Sequence, residues 1–369
     1  MRIKGFAPND LHYRTPFLFS VPSLALSVLF VVSVAAQTTT APVRARKSEV
    51  RRELPTTSFY ETPPSLPPAK PGTLIRSEAF DDYDLSADMS ALRILYHSRS
   101  ASGKDVAVSA VVLIPAGKPP AGGWPVIAWA HGFSGVARRC APSLMRNILN
   151  GPFLSMYLSL GYAVVATDYA GLGTYSQYAA LDAESNAVDV MYSIPAAHAA
   201  APLLGSKWIA MGDSQGAMTA IKVAERYESG DANYLGSVAI SGVANLEDVY
   251  RRLAQESSDG MLAVLAYGVK TVFPEFKPGD MLTDKGLATF ERVESTCGVP
   301  DNAAVSGAEM LKPDWQKNRF VQQFLSRNEV GHKAAHGQLL VIVGEADAAI
   351  PAPMTSQVVS QMCQQHDHV

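Results

Sequence analysis

The amino-acid sequence predicts an α/β fold, a mostly parallel sheet with helices on both faces and a helical insertion late in the chain. Three observations predict it. Residues 125–130 (PVIAWA) and 162–167 (YAVVAT) are continuous apolar runs of the kind found in strands buried on both faces. Helical patterns lie between such runs, and strands that alternate with helices are joined by crossovers, which make them parallel. The third is the stretch 207–227, KWIAMGDSQGAMTAIKVAERY, where an apolar run at 208–211 gives way to Ala217, Ile221, Ala224 and Tyr227 at helical spacing. Between the two halves lies Gly212-Asp213-Ser214-Gln215-Gly216, a G-x-S-x-G that sets a serine on the turn from strand to helix.

Composition sets the outer bounds. At 369 residues, 47% hydrophobic and 18% charged, the chain can bury a large core, as one big domain or a domain with an insertion. A net charge of −3, with no basic cluster in the mature region, argues against nucleic acid as a partner. The three cysteines are too few for a disulfide scaffold and include no C-x-x-C pair, and no H-E-x-x-H is present. No metal and no cofactor are expected.

Taken in order, the chain opens with Lys4 and Arg14 ahead of an uncharged run at 17–36 that closes on Val34-Ala35-Ala36, small residues suited to signal-peptidase cleavage. Residues 1–36 therefore read as a signal peptide, with an uncleaved membrane anchor as the alternative, and the rest as secreted or periplasmic. The absence of any N-x-S/T acceptor leans toward bacterial export. Residues 37–72 are rich in Thr, Pro and Arg and read mostly as linker, with the domain proper at 73–369. Residues 92–97 and 106–114 form a hairpin across Ser102-Gly103-Lys104, and the strand at 125–130 ends in His131-Gly132-Phe133-Ser134-Gly135. A helix at 152–160 stops at Gly161 and precedes the strand at 162–167; residues 182–198 form a helix bent or ended near Pro195. After the central serine turn come a strand at 235–240, an insertion at about 246–336 with apolar helical patches at 261–269, 272–273 and 320–325, and a strand at 339–343. An insertion of this size above a parallel sheet behaves as a cap over the site. Gly171-Leu172-Gly173 follows a strand as in a dinucleotide fingerprint, but Ser176 stands where the third glycine belongs, so nucleotide binding is not expected.

Ligands of parallel sheets bind at the carboxyl ends of the strands, and three such ends here carry the parts of an acyl-transfer site. Ser214 is the nucleophile: a serine on so sharp a turn is strained, and side-chain-free neighbours let strand and helix close while Oγ stays exposed. Asp347, after the late strand in Gly344-Glu345-Ala346-Asp347, can orient a histidine that takes the serine proton. Glu345 and Asp248 compete for that role, and the other reading of each is a loop carboxylate that caps a helix. The amides of Gln215 and Phe133 converge as oxyanion donors, worth on the order of 3 kcal/mol of barrier each. His131 reads as the scaffold of the Phe133 loop.

With these parts assembled, the chain resembles the secretory lipase family of the α/β-hydrolase fold, the group that includes the yeast lipase A type. The resembling segments are 59–78 (FYETPPSLPPAKPGTLIRSE), 129–143 (WAHGFSGVARRCAPS), 212–216 and 344–351 (GEADAAIP). By that resemblance Ser214 is the nucleophile, Asp347 the acid, Gln215 and Phe133 the oxyanion hole, and the cap shapes an acyl-binding channel. Family members hydrolyse triacylglycerols or simpler carboxylic esters without a metal, so the implied partner is a small-molecule or lipid ester, with transient contact at a lipid interface. The resemblance also implies a disulfide from Cys140 to Cys297, which suits an exported chain.

The base is where the pattern breaks. Chain order Ser, Asp, His requires a histidine after Asp347, and His366 and His368 are the ones available. A helix at 353–363 carries the chain back along the sheet by about 15 Å at 1.5 Å per residue. A strand of about five residues must then return to the carboxyl edge, so both histidines stand at the wrong end of the sheet. The expectation is a chain truncated before its last strand, a base about ten residues beyond Val369, Cys363 deprived of a partner, and little ester turnover from these 369 residues. His332 and His336, ahead of the late strand, read as solvated loop residues. Two other readings stay open: a peptidase or other acyl hydrolase built on the same triad, and a non-catalytic binding protein of the hydrolase fold.

Overall fold

The computed structural model describes residues 53–365 apart from 64, 87, 228–231, 257–259 and 302–304. The expected leader at 1–36, the linker ahead of residue 53, His366 and His368 lie outside the described residues. Among the described residues no helix is long and apolar enough to cross a membrane.

Eight strands form one sheet: β1 (Leu74–Ala79), β2 (Ser90–Arg99), β3 (Asp105–Ile114), β4 (Trp124–Ala130), β5 (Ala163–Thr167), β6 (Leu204–Asp213), β7 (Tyr234–Ile240) and β8 (Gln338–Ile342). Their order across the sheet is β1-β2-β3-β5-β4-β6-β7-β8. The first three strands and the β3–β5 pairing are antiparallel; β5, β4, β6, β7 and β8 are parallel. The β2–β3 hairpin is in register from Ser90 opposite Ile114 to Arg99 opposite Asp105. β1 was not anticipated, because LIRSEA alternates too weakly to stand out as a strand; it is an edge strand with one solvated face.

Helices cover both faces, as the buried runs require. α1 (Gly151–Ser159) lays Leu154 and Leu158 against Ile127, Trp129, Val164 and Ala166. α2 (Ala183–Ala200) and α3 (Gln215–Arg226) cover the alternate set, with Ala187, Val190, Ile194, Ala220 and Val223 against Val126, Ala128, Val165 and Ala210. The two-residue period of a strand sorts each apolar run into these two layers. α2 continues through Pro195 as one helix and does not end there, ending being the second of the two expected outcomes. Burial of Val190, Ile194, Ala196 and Ala197 outweighs the one lost hydrogen bond, and the proline ring seats against Gly72, where a Cβ would come within 2.5 Å of Pro195 Cγ. The end of the stretch read as linker is also part of the body: Leu54, Phe59 and Tyr60 are buried, and Tyr60 Oη lies 2.8 Å from Ser143 Oγ. Two adjacent aromatics supply the apolar area that a free linker lacks.

Between β7 and β8 the chain forms α4 (Leu246–Glu256), α5 (Met261–Val272), α6 (Asp284–Phe290), α7 (Gly307–Met310) and α8 (Arg319–Asn328), joined by an isolated bridge of Leu282 with Leu311. α5 is apolar all round and buried from Leu262 through Ala266, as such a helix must be. Gly268 brings it onto the turn before α2, since a Cβ there would overlap the Ala180 carbonyl. Beside that contact, Arg327 of α8 grips the buried Asp182 carboxylate through Nε (2.8 Å) and Nη2 (3.1 Å). α9 (Ala352–Gln365) follows β8 and packs Val358 and Met362 against Leu339, Ala217 and Ile221.

The Cys140–Cys297 disulfide is formed, with Cα atoms 5.2 Å apart and a sequence separation of 157 residues. Closing so long a loop in the unfolded chain is worth up to about 5 kcal/mol on the chain-entropy account. Reduction, or Cys297→Ser, is expected to lower the urea midpoint by an amount equivalent to about 2–5 kcal/mol and to steepen the slope, because the released unfolded chain exposes more surface. An unchanged midpoint under a reductant that demonstrably opens the bridge would contradict this.

Candidate active site

Residues 208–213 are the end of the central strand, and at Ser214 the backbone swings to φ 52°, ψ −122° before α3 starts at Gln215. Such a conformation costs a non-glycine residue about 1–3 kcal/mol and persists only where the surroundings over-determine it. The glycines do so. A Cβ on Gly212 would overlap the Gly216 carbonyl, and one on Gly216 would overlap the Ala130 carbonyl. Ser214 N–H still donates to Ile240 O (2.9 Å), and Ser214 O accepts from Ala217 N–H (2.9 Å), so the turn joins ladder to helix without a gap. The side chain of Ser214 is exposed.

One glycine escaped the sequence reading. A Cβ on Gly242 would overlap the Ser214 carbonyl, so the turn after β7 presses directly on the Ser214 peptide. Ser241 beside it has φ 46°, and Tyr169, after β5, has φ 68°. Three of the parallel strands thus leave the carboxyl edge through a left-handed non-glycine residue. The available signal was Ser241-Gly242 directly after the apolar run at 235–240.

The loop after β4 passes over the serine. A Cβ on Gly132 would lie 3.4 Å from Ser214 Cβ and 3.6 Å from both Asp213 O and Asp213 Oδ1. Burial pushes the Asp213 carboxyl above its usual range, partly offset by the Gly132 amide. Neither Phe133 N–H nor Gln215 N–H has an acceptor among the described residues, and the second is a helix-start amide with none inside its helix. His131 is buried; burial pushes its ring down to about 4, and its Nδ1 and Nε2 face Gly132 O (2.6 Å) and Asp168 O (3.3 Å). It is a neutral scaffold residue, with both ring nitrogens directed at carbonyls. Behind it the Asp168 carboxyl, pushed up to about 6 by burial, accepts from Ser109 Oγ (2.6 Å), Ser143 N–H (2.8 Å) and Ser143 Oγ.

Asp347 stands two strands from Ser214, at the same edge: Asp213 pairs with Ile240, and Ile240 with Ile342, so the strands end level. Two strand spacings amount to about 10 Å. An imidazole with a hydrogen bond at each nitrogen spans about 7–8 Å, within reach of two side chains leaning toward each other. Asp347 is half-buried, and its Oδ1 accepts from Ala349 N–H and Ile350 N–H, both at 2.9 Å. That fixes one oxygen and leaves Oδ2 without a partner among the described residues. Glu345 is exposed on the same turn, and Asp248 is exposed in the first turn of α4, its N–H capped by Asn245 Oδ1 at 3.2 Å.

Apart from His131, the described histidines lie elsewhere. His97 pairs with Asp105 on the β2–β3 hairpin, His198 meets Gly205 O at the start of β6, and His332 and His336 precede β8. His332 is exposed and His336 half-buried, its N–H bonded to Ala224 O. Met362 of α9 packs on Gly331 in that same segment, where a Cβ would lie 2.7 Å from Met362 Cγ. α9 therefore runs back to the amino end of the sheet, as its length requires. A cavity of about 650 Å³ opens between residues 61–66, the start of β3 and Thr174, Tyr175 and Ser176; neither Ser214 nor Asp347 lines it. Among the described residues no group of three or more His, Cys, Asp or Glu could hold a metal ion.

This geometry has relatives among solved structures. The chain is similar to the rice cell wall degrading esterase LipA from Xanthomonas oryzae, at 21% identity and a TM-score of 0.69 over 80% of this chain and 89% of that one. It is similar to Candida antarctica lipase A at 18% identity and a TM-score of 0.71, over 85% and 79%, and to a putative hydrolase from Legionella pneumophila at 17% identity and 0.66, over 80% and 92%. At such identities the likeness is one of fold. No curated protein sequence matches the chain. A family model described as secretory lipase matches residues 148–368, more than half of the sequence and the part that holds Ser214, the inserted helices and Asp347. The chain belongs to the secretory lipase family, and its sheet is that of the α/β-hydrolase fold.

Proposed function

We propose that this protein is an exported hydrolase of carboxylic esters, a lipase or carboxylesterase, that works through an acyl-enzyme on Ser214. The observation that carries the reading is the exposed Ser214, forced into a left-handed turn with the Gly132-Phe133 loop lying against it. Ser214 Oγ attacks the ester carbonyl, and the amides of Gln215 and Phe133 take up the charge that develops on its oxygen. Asp347 Oδ2 accepts from a histidine that carries the serine proton to the leaving alcohol; water then cleaves the acyl-enzyme by the same path reversed. By the chain order Ser, Asp, His, that histidine would follow Asp347 in the sequence. The family and a disulfide across the domain support export, and the buried helix α5 and its neighbours support a cap over the acyl group.

The test compares initial rates on p-nitrophenyl acetate, p-nitrophenyl palmitate and emulsified tributyrin with those on a peptide p-nitroanilide. Ester turnover should exceed amide turnover by at least about 10³-fold. A faster anilide would turn the assignment toward a peptidase, and a clean failure on all four, with stoichiometric ligand uptake, toward a binding protein.

A further inference from the structure

His131, Tyr169 and Tyr178 form a buried column beside Ser214. The His131 ring lies on Tyr169 at 4.3 Å between centroids, and Tyr169 lies on Tyr178 at 6.1 Å with planes 2° apart. All three are almost wholly inaccessible. Each tyrosine hydroxyl reaches one side of the oxyanion site and has a second partner besides, Thr219 for Tyr169 and Asn186 for Tyr178. Tyr169 Oη donates to His131 O (3.0 Å), the carbonyl from which the Gly132-Phe133 loop departs. Tyr178 Oη accepts from Gln215 Nε2 (2.7 Å), while Gln215 Oε1 accepts from Leu181 N–H (3.1 Å). Gln215 is the residue whose own amide opens α3 next to the serine.

We propose that Tyr169 and Tyr178 are positioning residues that hold the two oxyanion amides, Phe133 N–H and Gln215 N–H, at a fixed separation. The inference rests on the serine-hydrolase reading of Ser214. Rings stacked in a close-packed interior cannot shorten or slip without opening voids, so the column behaves as a spacer. One hydroxyl is fastened to the His131 carbonyl, one residue before the Phe133 peptide, and the other to the side chain of Gln215, whose backbone N–H is the second donor. Phenylalanine would fill the same volume, so packing alone gives no reason for either hydroxyl. Burial holds both phenols well above their usual range, so they stay neutral and keep these bonds at any working pH.

The test uses Tyr169→Phe, Tyr178→Phe and the double variant in the full chain, with Ser214→Ala as control. Rates on p-nitrophenyl butyrate are normalised by active-site titration. Each single variant should lose about 10- to 100-fold in kcat with KM within twofold. The Ki of an alkylboronic acid, which forms a tetrahedral adduct on the serine, should rise by the same factor while the affinity for the product carboxylate holds. The double variant should be little worse than the worse single, because the column acts as one body. Gln215→Ala breaks the lower attachment without touching the buried rings and should reproduce the loss, which keeps the test decisive if a tyrosine variant misfolds. Normalised kcat and boronate Ki unchanged within twofold, with Ser214→Ala inactive, would overturn the positioning role alone. Full turnover by Ser214→Ala would instead remove the underlying reading, and the positioning role with it.

Discussion

With the base histidine in place, Ser214→Ala is expected to lower kcat on short p-nitrophenyl esters by on the order of 10⁴- to 10⁶-fold while the fold stands. The hydroxyl is exposed and makes no hydrogen bond to a described residue, so its loss leaves no buried group unpaired. The strained turn is imposed by Gly212, Gly216 and Gly242 rather than by the serine side chain, and alanine meets the same backbone cost. Melting temperature should therefore stay within about 2 °C. A fluorophosphonate should label wild type on the peptide containing Ser214 and leave the variant unlabelled. Retention of more than about 1% of turnover, or a label elsewhere, would move the nucleophile to another residue.

Asp347→Asn should be nearly as damaging, with kcat down on the order of 10⁴-fold. The amide keeps an oxygen for Ala349 N–H and Ile350 N–H, so the turn survives. What it presents in place of Oδ2 is an NH₂ group, which cannot accept from the imidazole and favours the wrong tautomer. Glu345→Gln and Asp248→Asn should change kcat by less than about threefold, since both side chains are exposed, one on the turn and the other in the first turn of α4. An equal collapse in Glu345→Gln would transfer the role to that residue.

The carboxyl edge of the sheet was legible because its signals are local. A strand buried on both faces is written as an unbroken apolar run, and a crossing of strand and helix at atomic contact admits only glycine at defined offsets. The same logic reached Gly212 and Gly216 but not Gly242, whose constraint comes from a peptide on another strand. The hairpin, the strand at 125–130, the helix after the serine and the late strand and helix lie where the periodicity puts them. Illegible features depend on distant partners. Pro195 signals a break, yet the body of the fold holds α2 together across it. The bond from Gln215 to Tyr178 joins residues 37 apart in sequence, and no spacing rule could suggest it. Phe59 and Tyr60 look like aromatics in a proline-rich linker until the Ser143 side chain and β3 enclose them.

The disulfide also fixes how the inserted helices can move. Cys140 belongs to the segment after β4, and Asp182, gripped by Arg327, to the segment after β5, so both tethers lie on the same side of Ser214. Gly298 N–H adds a bond to Ser134 O at that corner. Arg252 of α4 holds the opposite flank, donating to Ala348 O (2.9 Å) and Ala349 O (2.8 Å) beside Asp347, so an outward swing of the inserted helices has to break contacts on both sides of Ser214.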